Sequence, residues 1–254
     1  MTPLWSVFTK PWAELDPEAL GKLVAGLGFN GAEIPVRDNA FVTPGTAEER
    51  LPGFAKIMRE HGVEIISIAA DLSESTFAAA GAAGVPIIRI MAPLGSDDYR
   101  TAVSRIRRSL EAAVPFAERY GVGVGIQPHH GRFVTSALGV LNLVEGLPDA
   151  FTVVWDAAHD ALAGDDPHVT VPLVAHRLSI VNLKNAMYVP ADHGWRTWFV
   201  QAGEGLSDWS AVFGELDKLA FDGPICLTGQ YSDPSVSVED RLRTDLATAQ
   251  SLIL

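Results

Sequence analysis

Tyr120-Gly-Val-Gly-Val-Gly-Ile-Gln-Pro-His-His-Gly131 joins the end of a predicted helix to a short strand and then to a polar loop. Tyr120-Gly121 has the form of a helix end, where glycine adopts the left-handed conformation without strain. The short apolar run at residues 123–127 predicts a buried strand. Helix, strand and polar loop in this order form the repeating unit of proteins in which helices connect parallel strands.

The same alternation extends from this stretch towards both ends of the chain. Short β-branched runs alternate with longer amphipathic segments, which predicts parallel strands joined by helices. Eight strands are predicted, at residues 4–8, 31–35, 64–69, 87–91, 123–127, 152–156, 179–183 and 224–228. Eight such strands favour a closed (β/α)8 TIM barrel over an open sheet, and the chain has about the ~250 residues typical of that fold. Because no linker or composition shift interrupts the pattern, we expect one domain over residues 1–254.

Charge and composition limit the partners of this chain. Its formal net charge is -12, and such a field repels a phosphate backbone unless basic residues cluster on one face. No apolar run approaches the ~20 residues needed to cross a membrane. We therefore predict neither a nucleic-acid partner nor a membrane partner. The single cysteine, Cys226, allows no internal disulfide, and residues 1–8 lack a signal-peptide pattern, so we expect a cytoplasmic protein.

Polar residues follow almost every predicted strand. In a (β/α)8 barrel, the C-terminal ends of the strands and the loops after them surround the active site. The polar residues at these positions are Glu33, Arg37, Asp71, Arg89, Gln127, His129, His130, Asp156, His159, Asn182, Lys184, Thr228 and Gln230. Strand residues two apart share a face, so we expect Gln127 to point with His129, and Asn182 with Lys184.

Asp156 and Lys184 are the strongest candidates for chemistry among these residues. Asp156 ends a strand inside the barrel, where an isolated carboxylate is costly unless it is paired or bound to a metal. His159 follows one helical turn later, and Lys184 could pair with Asp156, bind an anion or donate a proton. We predict catalytic roles for Asp156, His159, Lys184 and His129. A charge pair without a catalytic role is the alternative for Lys184.

A second group of residues is predicted to bind the substrate. It consists of Glu33, Arg37, Gln127, Asn182, Arg196 and Gln230. Glu33 could equally form a salt bridge with Arg37 or Arg89. Arg196 could instead form a salt bridge within its loop.

Two histidines near the predicted site have less specific interpretations. His130 is interpreted as a loop histidine that faces water. His193 lies in residues 192–195, which are interpreted as a loop after the seventh strand that could cover the site.

Seven segments along the chain form an ordered set of motifs. They are Gly28-Phe-Asn-Gly-Ala-Glu33, His61-Gly-Val-Glu-Ile, Gly121-Val-Gly-Val-Gly-Ile-Gln-Pro-His-His-Gly131, Trp155-Asp-Ala-Ala-His159, Val181-Asn-Leu-Lys-Asn185, Gly203-Glu-Gly205 with Asp208-Trp209, and Gly223-Pro-Ile-Cys-Leu-Thr-Gly-Gln-Tyr231. In order and spacing, this set resembles the sugar phosphate isomerase/epimerase family, whose members are also called xylose-isomerase-like or AP-endonuclease-2-like barrels. The resemblance covers nearly the whole chain.

The resemblance implies a metal centre whose usual ligands are largely replaced here. Members of the family commonly bind Mn²⁺ or Mg²⁺ through a Glu, an Asp, a His and a Glu at the ends of strands five to eight. The matching positions in this chain are Gln127, Asp156, Asn182 and Thr228. Neutral amides and a hydroxyl compensate a dication poorly, which predicts weak binding at that centre. A displaced site formed by His129, Asp156 and His159 is the alternative.

The resemblance implies an enzyme that isomerises, epimerises or eliminates from a sugar, a keto-sugar or a related polyol. The alternative is a catalytically silent barrel that binds a sugar-like ligand or serves as the partner subunit of an active homologue. DNA repair, which occurs in the same superfamily, is disfavoured by the depleted metal ligands and the negative charge. A small-molecule sugar is the expected partner. Members of the family are often dimers or tetramers, so the resemblance implies a homo-oligomer.

Overall fold

Eight parallel strands close into a barrel in this protein. The computed structural model describes residues 3–253. The barrel strands are β1 (Trp5–Phe8), β2 (Gly31–Pro35), β3 (Glu64–Ala69), β4 (Ile87–Met91), β5 (Gly123–Gln127), β6 (Phe151–Asp156), β7 (Leu178–Leu183) and β10 (Ile225–Leu227). Their order around the barrel is β1-β10-β7-β6-β5-β4-β3-β2, so each strand pairs with its neighbours in the chain and β10 pairs with β1 and β7. The predicted TIM barrel is confirmed, and each predicted strand begins and ends within one residue of the observed one.

Helices surround the barrel and connect its strands. They are α1 (Pro17–Gly26), α2 (Ala47–Glu60), α3 (Glu74–Ala83), α4 (Tyr99–Tyr120), α5 (Ala137–Val144), α6 (Ala157–Ala163), α7 (Pro167–Val174), α8 (Trp209–Lys218) and α9 (Val238–Ser251). Short 3-10 turns occupy Lys10–Trp12, Pro44–Thr46 and Ala175–Arg177. Helix α4 ends as its sequence predicts, because Gly121 has φ +66° and its amide closes the last turn on Ala117.

Strands β8 (Asn185–Ala191) and β9 (Gly194–Val200) form an antiparallel hairpin beside the barrel. No strands were predicted here. Of the predicted loop at residues 192–195, Asp192 and His193 form the turn of the hairpin, whereas Gly194 and Trp195 begin β9. The hairpin begins directly after Lys184, and the Asn185 side chain secures its base. Asn185 donates through Nδ2 to the Ser207 carbonyl at 3.0 Å and accepts from the Ser207 amide at 2.9 Å. The backbone at Lys184 is therefore fixed by strand β7 before it and by the Asn185 bonds after it.

The period of two along each strand places the site above an apolar layer. Val154, Ile180 and Cys226 are buried together in the interior of the barrel. The residues two positions further along these strands share their face. These residues are Asp156, Asn182 and Thr228. One layer of apolar side chains thus separates the polar mouth from the other end of the barrel.

Candidate active site

A cavity of about 360 Å³ opens at the C-terminal mouth of the barrel. Its size lies within the range of small-molecule sites. It is lined by Phe8, Lys10, Pro11, Arg37, Arg89, Met91, Gln127, His129, Asn182, Lys184, Thr228, Gly229, Gln230, Tyr231, Val238 and Arg241. Gln127 and His129 do face the same space, as do Asn182 and Lys184.

Glu33 and Arg89 form one buried ion pair beneath this cavity. Arg89 Nε lies 3.0 Å from Glu33 Oε1 and 2.9 Å from Oε2, and a second guanidinium nitrogen also donates to Oε1. Ser67 Oγ donates to Glu33 Oε2 at 2.7 Å. Of the two partners considered for Glu33, Arg89 is thus the one that it binds, and Glu33 itself does not line the cavity.

Asp156 and Lys184 form a second buried ion pair, and His159 belongs to it. Lys184 Nζ lies 3.1 Å from Asp156 Oδ2 and 2.8 Å from His159 Nε2. Asp156 Oδ1 accepts the His159 amide at 3.0 Å, which caps helix α6 and fixes the carboxylate. Three of the four predicted catalytic residues are therefore in direct contact, and only Lys184 of these three lines the cavity.

Gln127 connects the two ion pairs. Its Oε1 accepts from Arg89 Nη1 at 2.9 Å, and its Nε2 donates to Asp156 Oδ2 at 2.5 Å. An amide is the side chain that can accept on one end and donate on the other. A carboxylate at position 127 would instead place a like charge against Asp156.

Burial and charge set the protonation of the second pair. Burial opposes ionisation of Asp156, but the positive charge beside it and the hydrogen bonds from His159 and Lys184 hold its pKa below the usual value. Burial lowers the pKa of Lys184, and Asp156 opposes this shift. Burial, reinforced by the charge of Lys184, lowers the pKa of His159 to about 2. His159 is therefore neutral at physiological pH.

Both ring nitrogens of His159 have polar neighbours in this network. Lys184 Nζ lies 2.8 Å from Nε2. The His130 amide donates to Nδ1 at 3.4 Å, and His130 Nδ1 lies 3.3 Å from the same atom. His130 is half-buried and stacks on His129 with ring centroids 4.6 Å apart, so it does not simply face water as its sequence suggested.

Two buried oxygen atoms of cavity-lining residues have no hydrogen-bond partner among residues 3–253. They are Asn182 Oδ1 and Thr228 Oγ1. Both residues line the cavity, and Asn182 is only 3% exposed. Buried polar groups rarely stay unpaired, so these two atoms are suited to hydrogen-bond a polar ligand.

The structure does not bring every predicted residue to the cavity. Arg37, Gln127, His129, Asn182, Lys184 and Gln230 line it. Arg196 lies on the exposed part of the hairpin, with its guanidinium 4.7 Å from the Trp198 ring centroid, and does not line the cavity.

Lys10, Tyr231 and Arg241 also line the cavity and were not predicted from the sequence. Tyr231 ends a quoted motif and could have been found from it. Arg241 lies in helix α9, where no local pattern signals a role in the site.

The comparisons with known proteins agree with this architecture. Residues 22–251 match the family described as xylose isomerase-like TIM barrel. The chain belongs to this family. A comparison with curated proteins finds no significant match. No helix within residues 3–253 has both the length and the apolar character needed to span a membrane.

Several solved structures share the fold of this xylose isomerase-like barrel at low identity. D-psicose 3-epimerase from Clostridium cellulolyticum H10, solved with D-tagatose, has a TM-score of 0.78 and 12% identity over 98% of this chain and 99% of that one. The probable 3-DHS dehydratase AsbF from Bacillus anthracis has a TM-score of 0.73 and 16% identity over 97% and 98%. A xylose isomerase-like TIM barrel/4-hydroxyphenylpyruvate dioxygenase fusion protein has a TM-score of 0.73 and 19% identity. The match covers 99% of this chain but only 43% of the fusion protein.

The residues present do not fit the dication that the family implies. Gln127, Asp156, Asn182 and Thr228 offer one carboxylate, whereas Mn²⁺ and Mg²⁺ prefer several charged oxygen ligands. That carboxylate already carries the Lys184 ammonium at 3.1 Å on Oδ2. The Lys184 ammonium would repel a dication at the same oxygen.

A different group of side chains in this xylose isomerase-like barrel could hold a metal ion. Ring nitrogens of His129, His130 and His159 lie within 4.8 Å of one another. Asp156 is not part of this group, so the displaced site expected from His129, Asp156 and His159 is replaced by a three-histidine arrangement. Imidazole ligands suit Zn²⁺, Ni²⁺ or Cu²⁺ better than Mn²⁺ or Mg²⁺.

Proposed function

We propose that this xylose isomerase-like barrel is an enzyme that moves a proton beside the carbonyl group of a sugar, a keto-sugar or a related polyhydroxylated carbonyl compound, with Lys184 as the acid and base. Isomerisation, epimerisation and β-elimination all begin with such a transfer. The observation that carries the proposal is the position of Lys184 Nζ, which lines the cavity between Asp156 and His159. The family's dication at Asp156 has no part in the reaction.

Lys184 has the features of a group that exchanges a proton at this position. Burial lowers the pKa of the Lys184 ammonium, so it can release a proton, and the amine can take one from a carbon next to a carbonyl. Asp156 then stabilises the ammonium that forms. Neutral His159, at 2.8 Å, orients Nζ. The other cations on the wall favour the negative charge that develops on the substrate oxygen.

The remaining wall is suited to hold a polyhydroxylated ligand. Asn182 Oδ1 can accept from a hydroxyl, and Thr228 Oγ1 can donate or accept. Gln230 and Gln127 add amide groups to the same wall. The names of the related structures, a ketose epimerase and a probable dehydratase, support chemistry on small polyhydroxylated or cyclic compounds.

Solvent-deuterium exchange tests the proposal without knowledge of the product. The protein is incubated in deuterated buffer with a panel of keto-sugars and sugar acids, and loss of the carbon-bound proton is followed by NMR. We expect exchange into at least one compound, and a decrease of ~10² or more in Lys184→Met. Lys184→Arg keeps the charge beside Asp156 but cannot release a proton near neutral pH, so it should be equally impaired.

Lys22→Met, a change at an exposed surface lysine, is the matched control and should exchange like the wild type. Wild-type exchange in both folded Lys184 variants would overturn the assignment of Lys184.

The alternative function is a binding barrel without catalysis. It is favoured by Gln127 and Thr228, which stand where the family usually has glutamates and cannot exchange a proton. Binding of a sugar-like compound with no exchange over long incubation would support this alternative, including a role as the partner subunit of an active homologue. The cytoplasmic location and the homo-oligomer remain predictions.

A further inference from the structure

Positive side chains are concentrated on the wall of the cavity. Five of its lining residues are Lys10, Arg37, Arg89, Lys184 and Arg241, and no Asp or Glu of residues 3–253 lines it. The chain as a whole carries a formal net charge of -12. A positive cavity in a negative protein focuses its field on an anionic ligand.

Buried carboxylates neutralise only two of these five cations. Arg89 pairs with Glu33, and Lys184 pairs with Asp156. Within the described part of the chain, no carboxylate lies within ion-pair distance of Lys10, Arg37 or Arg241. The cavity therefore holds an excess of positive charge that the described residues do not balance.

Arg37 is a partly buried cation without a carboxylate partner among residues 3–253. Its guanidinium lies 5.8 Å from the centroid of the Phe8 ring, and that of Arg89 lies 4.9 Å from the same centroid. Burial and the charge of Arg89 both lower the pKa of Arg37. Its Nε is buried and has no hydrogen-bond partner among residues 3–253. A partly buried guanidinium that lacks a counter-ion costs free energy, which a bound anion would recover.

Arg241 presents a second donor to the same cavity. It is 8% exposed, and its terminal nitrogens donate to the backbone carbonyls of Tyr231 and Asp233. Its guanidinium lies 5.0 Å from the Tyr231 ring centroid. Its Nε, like that of Arg37, is buried without a partner in the described residues.

We propose that the ligand of this cavity carries an oxyanion, a carboxylate or a phosphate, which binds Arg37 and Arg241 with Lys10 at the rim. Its hydroxyl and carbonyl groups then face Asn182, Thr228 and Lys184. This inference names the substrate class and rests on the proposed function. The substrate is thus a sugar acid or a sugar phosphate and not a neutral sugar.

Binding of matched probes tests the proposal separately from turnover. D-glucose, D-glucuronate and D-glucose 6-phosphate share a ring and differ in charge, and inorganic phosphate tests the anion alone. Affinities are measured by calorimetry at constant ionic strength with chloride as the background anion, on the wild type and on Lys184→Arg. We expect at least one sugar anion to bind ~10-fold or more tightly than D-glucose. The comparison of glucuronate with glucose 6-phosphate identifies the source of the oxyanion.

Variants of Arg37 make the test specific. Arg37→Gln should bring the affinity for the sugar anion down to that for D-glucose, whereas Arg37→Lys should keep most of the difference. Arg50→Gln is the matched control, because Arg50 also lies over a phenyl ring, that of Phe41, but outside the cavity. It should bind like the wild type.

Three results would overturn the proposal. They are equal binding of D-glucose and its anions, a preference that survives in Arg37→Gln, and no binding of any anionic probe up to ~10 mM, the weak end of ordinary ligand affinity. Anion binding in a protein that exchanges no protons would support this inference while the proposed enzyme activity fails.

Discussion

The two buried ion pairs at the mouth of the barrel differ in how completely their hydrogen bonds are satisfied. Glu33 receives several donors from Arg89 and one from Ser67, and it lies away from the cavity wall. Lys184 is shared between Asp156 and His159 and also lines the cavity. A saturated pair stabilises one arrangement, whereas a cation shared between two partners can give up or receive a proton. The first pair therefore supports the site, and the second pair is suited to chemistry.

Gln127 explains how the two pairs coexist without a metal ion between them. It accepts a hydrogen bond from Arg89, donates one to Asp156 and adds no charge. In the family pattern a glutamate stands here beside the aspartate, and a dication offsets their repulsion. With Lys184 as the only cation on Asp156, a neutral amide at position 127 is the compatible side chain.

Arg89→Met should give the largest effect on stability. It leaves the Glu33 carboxylate buried without a cation, so we expect the free energy of unfolding to fall by about 3–5 kcal/mol. Lys184→Met should cost less, because Asp156 keeps the donors of Gln127 and the His159 amide. Urea unfolding measures both changes, and Arg50→Met is the surface control. An Arg89→Met protein as stable as the wild type would remove the distinction between the two pairs.

Asp160 is a third buried carboxylate, and it differs from Glu33 and Asp156 because no cation pairs with it among residues 3–253. Burial raises its pKa to about 7, although Thr170 Oγ1 donates to it at 2.6 Å. The folded state therefore binds a proton more tightly than the unfolded state, so this group's contribution to stability is present below about pH 4 and is lost as pH rises to about 7. Asp160→Asn removes this loss.

At pH 8 we expect Asp160→Asn to unfold about 5–10 °C above the wild type, from a difference of about 2–4 kcal/mol. At pH 4 the two proteins should have similar melting temperatures. Calorimetry at both pH values checks this, and an equal shift at pH 4 and pH 8 would contradict it.

Metal binding by His129, His130 and His159 should depend on Lys184 to a smaller extent. Lys184 places a positive charge 2.8 Å from His159 Nε2, and His159 is one of the three histidines. Lys184→Met removes this charge, so we expect its Zn²⁺ affinity to rise ~10-fold. Lys184→Arg keeps the charge and should show no increase. Titration with Zn²⁺ against a chelating dye gives the affinities, and an unchanged affinity in Lys184→Met would show that the two sites are independent.

Much of the fold could be predicted from the sequence because the barrel repeats one local pattern. Each strand is a short apolar run, and each is followed by a helix with recognisable ends. The hairpin of β8 and β9 was not predicted, because its strands lie outside the barrel and lack the apolar alternation of a core strand. Its one local signal is Gly194, which has φ +86° after the two-residue turn.

The positions of the site residues could be predicted better than their partners. The positions of Gln127, Asn182 and Lys184 at strand ends, and the alternation of side chains along a strand, predicted that these residues face one cavity, as they do. Sequence separation could not show that Glu33 pairs with Arg89, 56 positions away, and not with the nearby Arg37. Arg196 was placed by its position after β7, but the hairpin carries it away from the mouth.

Metal content distinguishes an ammonium from a dication at Asp156, because here the Lys184 ammonium has the place that a dication has elsewhere in the family. The purified protein and Asp156→Ala are dialysed with Mn²⁺, then against metal-free buffer, and analysed for bound elements. We predict less than ~0.1 Mn per chain in both proteins, since one paired carboxylate is too weak a ligand set. About one Mn per chain in the wild type, lost in Asp156→Ala, would contradict the account and restore a metal-assisted mechanism.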